Sequence, residues 1–197
     1  MTRHQGLGGR AAGERRLHEQ QLRGYGFLAG RGPRPSATVV PAPLRYWQYD
    51  PPRPVPVGVV LGIVAIWLGV FAWGGGWTAM VDEAPLAVGA GLIVLVLNVG
   101  RLTVTDHGVS TDVPATRTKP ESIVPLVLVR EVRVGAVPPG WPTAAGRGGW
   151  LPGRTRVAVR HLADDGATEQ ACTRWIRDPE AFAEALDHPL QAPTRRS

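Results

Sequence analysis

Between Val57 and Gly100 the chain carries two apolar runs without a charge, separated only by Asp82 and Glu83. The first, Val57 to Met80, has 24 residues, and the second, Ala84 to Gly100, has 17. A hydrocarbon core of about 30 Å takes about 20 helical residues at ~1.5 Å rise each. The first run exceeds that length; the second meets the lower limit and extends through Val81 or into Leu102. Buried helices of soluble domains keep a polar stripe, and neither run has one. The pattern predicts a membrane α-helical hairpin over 57–100, with spans 57–80 and 84–100 and a tight turn at Asp82-Glu83. A cleaved signal peptide fits less well, because its apolar core is short and lies near the start.

Beyond the second run the period changes from helical to alternating. Leu102 and Val104, then Asp106-His107-Gly108, then Val109, Thr111 and Val113 predict a hairpin of strands. Val129 to Val134 alternates as a further strand. Thr155 to Leu162, the turn Asp164-Asp165-Gly166 and Glu169 to Ile176 predict a second hairpin, with Val157, Val159, Ala171 and Thr173 alternating as in a half-buried ribbon. Asp178 suits an N-cap with Pro179 at the first helical position. Phe182, Ala185 and Leu186 then give a helix over 179–187 one apolar face, and Pro189 ends it. Ala136 to Gly153, rich in Gly and Pro, is predicted to be a long loop, and a loop of that length is usually mobile or interacting.

Met1 to Pro56 has few large aliphatic residues and many prolines from Pro33 onward. Such a segment buries too little surface to offset its ordering entropy, so a disordered arm over 1–56 is expected. A short helix fits only at Glu14 to Arg23, where Leu17 and Leu22 make no sustained stripe. Tyr46-Trp47-Gln48-Tyr49 should be extended and lean on the membrane or on the domain that follows. Residues 191–197 are expected to form a loose tail.

Charge refines this picture. The net +6 is uneven: residues 1–56 hold nine Arg against Glu14, Glu19 and Asp50, whereas residues 101–197 hold 13 basic against 11 acidic side chains. A basic arm beside the bilayer suits an anionic leaflet better than nucleic acid, since no stacking pattern interleaves it. Arg45 and Arg53 precede the first span, Arg101 follows the second, and the turn between is acidic, which places both termini in the cytoplasm of a plasma membrane. Trp73 and Trp77 fit the outer interface. Gly58, Gly62, Ala65 and Gly69 on the first run, with Ala87 and Gly91 on the second, permit close helix approach, within the hairpin first and across a homo-oligomer second. One Lys against 21 Arg points to a GC-rich bacterial genome.

The order of a membrane pair, the strand Arg101-x-Thr-Val-Thr-Asp-x-Gly-Val109, a middle strand, a final hairpin and Arg177-Asp-Pro-Glu-Ala-Phe-Ala-Glu-Ala-Leu186 resembles bacterial membrane proteins with a pleckstrin-homology-like domain. It is most similar to small actinobacterial two-span families of unknown function. The resemblance covers about residues 55–190. It implies a PH-like α+β domain over 101–190, a bent and mostly antiparallel sheet closed by the C-terminal helix, in a fold used for binding. That pattern has seven strands where five are legible, so Pro114 to Glu121 and Ala136 to Gly153 would hide the others, or the sheet is incomplete. No phosphoinositide-binding motif carries over.

Reaction chemistry finds little support. His4, His18, His107, His161 and His188 are scattered without metal-ligand spacing, and Cys172 stands alone. Gly146-Arg147-Gly148-Gly149 lacks the ending and context of a phosphate loop. The sequence therefore predicts a non-enzymatic membrane protein without cofactor or metal. Its domain and arm would contact a protein partner or the leaflet, through Trp141, Arg147, Trp150 and Arg154. The runner-up is an accessory subunit of a transporter or envelope enzyme that assembles through the hairpin.

Overall fold

The computed structural model describes residues 3–27, 32–36, 41–52, 54–112, 123–147 and 149–192. In chain order its elements are α1 (Arg3–Arg23), β1 (Tyr25–Gly26), β2 (Arg34–Pro35), β3 (Tyr46–Asp50), α2 (Pro54–Leu97), β4 (Gly100–Val104) and β5 (Gly108–Asp112). Then come β6 (Val124–Pro125), a 3₁₀ turn at Leu126–Leu128, β7 (Val129–Val134), β8 (Ala144–Gly146), β9 (Thr155–Leu162), β10 (Glu169–Ile176), α3 (Pro179–Ala185) and β11 (Leu190–Gln191). The fold is α+β with mostly antiparallel sheets.

One sheet has the order β3-β4-β5-β6 and a second the order β11-β7-β9-β10-β8. The predicted hairpins are present: Val104 pairs with Val109, and Cys172 with Val159. The core lies between the sheets. Leu102, Val104 and Val109 of the first meet Val132, Val157, Val159, Cys172 and Ile176 of the second, and Phe182, Ala185 and Leu186 of α3 close one end. The Tyr46 and Phe182 rings pack edge to face at 5.5 Å. Asp178 caps α3 as expected, accepting from the Ala181 N–H at 3.0 Å.

Three expectations require correction. First, the arm over 1–56 is not without structure: among its described residues are α1 and β3. α1 has no continuous apolar stripe, yet it buries Ala11 and His18 completely. Ala11 packs with Leu128 and Leu162, and Arg15 donates to the Ile123 carbonyl at 3.1 Å and pairs with Asp164. Long polar side chains bound to the sheet replace the missing aliphatic face.

Second, a strand absent from the five counted lies upstream of the apolar region. β3 pairs antiparallel with β4, Tyr46 opposite Val104 and Asp50 opposite Gly100. The 136–153 loop supplies another short strand, β8, which runs parallel to β10. Pro114 to Glu121 and the tail from 193 lie outside the described residues.

Third, the break in the apolar region is not at Asp82-Glu83, which are helical within α2. Backbone angles leave the helix at Gly76, with φ 76° and ψ −172°, a conformation essentially confined to glycine. Chain reversal accompanies the break. On a straight helix Val60 and Gly91 would be about 46 Å apart. Instead, a Cβ on Gly91 would stand 3.2 Å from Val60 and 3.1 Å from Val64. α2 is the one described helix long and apolar enough to cross a membrane, and only 6% of its most apolar 18-residue window is buried.

Candidate interaction site

β3 carries a polar row on its inner face, because alternate residues of a strand share a side. The Tyr46 hydroxyl donates to Gln48 Oε1 at 2.9 Å, and Gln48 Nε2 donates to Asp50 Oδ1 at 2.7 Å and to the Trp175 carbonyl at 2.8 Å. Burial raises the Tyr46 phenol above its ordinary pKa. Arg154 completes the row. Its Nη1 donates to Asp50 Oδ1 at 2.6 Å, its Nη2 to the Tyr49 carbonyl, and both partners of the ion pair are shielded, at 9% and 4% side-chain exposure. Arg154 is therefore a clasp between the loop and β3 rather than an exposed contact.

The loop that Arg154 fastens also touches the start of α2. Gly149 is buried, and a Cβ there would stand 2.8 Å from the Pro51 carbonyl and 3.2 Å from that of Pro52. Between these anchors the chain turns: the Arg154 N–H donates to the Leu151 carbonyl at 3.3 Å, with Pro152 next and Gly153 at φ 80°. Pro followed by a positive-φ Gly is the arrangement of a type II turn. The turn leaves Trp150 63% and Leu151 43% exposed.

The four predicted contact residues thus separate. Trp150 is at the exposed tip and Arg154 is buried beneath it. Trp141 is half-buried with the Arg160 guanidinium 5.3 Å from its ring centroid, on the outer side of β9 where Glu131 pairs with Arg133 and Arg160. The Arg147 N–H donates to the Thr173 carbonyl at 2.9 Å, extending the β8–β10 edge. The helix-packing residues separate as well. Ala87 and Gly91 are buried between the arms of α2, Ala65 is exposed, and Cβ atoms on Gly58, Gly62 or Gly69 would meet nothing within 4 Å.

Two buried groups were not singled out by sequence. His18 bonds Thr105 Oγ1 through Nδ1 and Ser110 Oγ through Nε2, each at 2.8 Å. Burial, helped by the charge of His107, lowers its pKa to about 4. Arg174 is 2% exposed, and burial lowers its pKa. Cys172 lies in the core; burial pushes its thiol up, but a hydrogen bond with His161 and the nearby Arg174 and Arg147 bring it below the ordinary value. Among the described residues no three His, Cys, Asp or Glu side chains cluster as a metal site would need.

No family model matches the chain, and no characterised protein or solved structure is significantly similar to it.

Proposed function

We propose that the chain is a non-enzymatic integral membrane protein in which the two arms of α2 cross the bilayer as a hairpin and hold a PH-like interaction domain at the cytoplasmic face. The observation that carries this reading is the β3–β4 ladder, which brackets α2. Asp50 is opposite Gly100, so both ends of the apolar element begin at one edge of one sheet. An element inserted in that way can cross a bilayer only an even number of times. The exposed Val59, Ile63, Ile66, Leu92, Ile93 and Val96 side chains would then face lipid. The Arg side chains flanking the apolar region, against an acidic Asp82-Glu83, favour the cytoplasmic side for the domain.

A PH-like assignment draws support from the order of a four-strand meander, a three-strand meander and a closing helix. The short parallel edges β8 and β11 are additions to that pattern. A domain split by its own membrane segment has little freedom to swing on a linker, unlike one tethered at a single end. It would present α1 and the 147–154 loop to partners in a fixed orientation.

Cysteines introduced singly at Gly74 and at Glu169, tested with a membrane-impermeant maleimide on intact cells and on opened membranes, check this reading. The position 74 label should be accessible from outside and the position 169 label only after opening. Access to both from one side would overturn the two-crossing arrangement. Crosslinking in native membranes would then identify what the domain touches.

A second reading, an accessory subunit assembling through the hairpin, is favoured by the open faces at Gly58, Gly62 and Gly69. Recovery of a stoichiometric membrane partner in mild detergent would support it.

A further inference from the structure

We infer that the turn bearing Trp150 and Leu151 is a second membrane contact, inserted at headgroup level of the same leaflet from which α2 starts. The inference rests on the membrane reading of α2 and adds to it a lipid-binding role for the loop. Three observations lead there. Apart from Leu17 on α1 and residues of α2, Trp150 and Leu151 are the large hydrophobic side chains that stand exposed among the described residues. They are adjacent in sequence to Gly149, whose Cα packs against Pro51 and Pro52, two residues from the first turn of α2. Their presentation is rigid, with the Leu151–Arg154 turn on one side pinned to Asp50 and Tyr49 through the Arg154 guanidinium.

An exposed Trp-Leu pair in water is unfavourable, whereas at the interface the indole buries its ring and keeps its N–H hydrated. Continuity with α2 selects the bilayer as the occupant over a protein. The tip is tied to the very segment where α2 leaves the domain, so a bilayer that receives Pro54 lies directly beside it. Arg156, exposed at the start of β9, adds a positive charge suited to anionic headgroups. With α2 as one attachment and the tip as another, the sheet domain would be fixed in tilt as well as in position.

Trp150→Cys and Leu151→Cys, each labelled with an environment-sensitive fluorophore, test this in phosphatidylcholine–phosphatidylglycerol vesicles carrying a shallow doxyl-lipid quencher. Native Cys172 is 3% exposed and stays in place, with the unaltered protein as the labelling control. Leu86→Cys in α2 and Asp165→Cys in the β9–β10 turn supply the lipid and water references. The expected result is a blue-shifted emission at 150 and 151, with quenching by doxyl lipid approaching that at 86. A water-like, iodide-quenched label at 150 and 151 beside a lipid-quenched label at 86 would overturn the inference and leave the membrane reading standing. Labels at 150 and 151 shielded from both quenchers would overturn it in favour of a protein cover. A water-like label at 86 would remove both readings.

Discussion

Arg154 donates to Asp50 at 2.6 Å with both side chains withdrawn from solvent, joining the loop after β8 to the last residue of β3 before the apolar element. Removing one partner of a buried pair leaves the other charge uncompensated, which costs about 3–5 kcal/mol. Arg154→Met should therefore lower the thermal midpoint of the detergent-solubilised protein markedly. Asp50→Asn with Arg154→Met should recover much of the loss, because the neutral amide leaves no uncompensated charge and its oxygen can still accept from Gln48 Nε2. A loss in the double variant equal to the sum of the Arg154→Met and Asp50→Asn losses would show that the pair is not coupled.

His18 is held neutral between Thr105 and Ser110, with its pKa lowered from 6.5 to about 4. A histidine depressed on folding binds its proton more readily in the unfolded state. Its contribution is complete above pH 6.5, declines as the pH falls from 6.5 towards 4, and changes no further below. The full span corresponds to about 3 kcal/mol. Since His18 is on α1, the expected response is local release of that helix. Amide exchange, corrected for the intrinsic rate, should show α1 protection falling between pH 7 and pH 5 while β9 and β10 stay protected. His18→Gln should flatten that dependence.

Gly76 holds φ 76° and ψ −172°, where a side chain costs about 1–3 kcal/mol, so Gly76→Ala should destabilise the reversal of α2. Gly75→Ala is also expected to destabilise, since its Cβ would stand 2.5 Å from that of Ala79. Gly74→Ala meets open space and gains helix propensity, so it should be neutral or stabilising. Denaturation in detergent that ranks all three alike would contradict the placement of the break.

How far these features can be read from sequence depends on the kind of force behind them. The β9–β10 ribbon and the Asp178-Pro179 start of α3 are set by local pattern, and the structure has them where the pattern puts them. The break of α2 was misplaced because charge at Asp82-Glu83 is a louder signal than three successive glycines, although only the glycines permit the required φ. β3 was obscured by its polar inner row: Gln48 and Asp50 look like surface until Trp175 and Arg154 are beside them. Of α1 only the Glu14 to Arg23 part is legible, and its docking is not, as His18 and Arg15 dock through hydrogen bonds to residues about a hundred positions away. Trp150 and Arg154 are four apart in one Gly-Pro loop, and no sequence pattern separates the exposed tip from the buried clasp.

Gly91 and Gly62 carry the sharpest contrast within α2. A Cβ at 91 already meets Val64 at 3.1 Å and Val60 at 3.2 Å, so Gly91→Leu must force the arms apart, an overpacking cost of about 1–3 kcal/mol. Gly62 meets nothing within 4 Å, so Gly62→Leu should leave the isolated chain's stability unchanged. The same substitution fills the open small-residue face along which a second helix could approach. If the hairpin assembles there, sedimentation in mild detergent should show Gly62→Leu shifting the protein from a complex to a monomer at unchanged thermal midpoint. Gly91→Leu should lower the midpoint whether or not a complex is present. A Gly62→Leu protein that sediments as the unaltered one does would leave the hairpin as an anchor whose outer face meets only lipid.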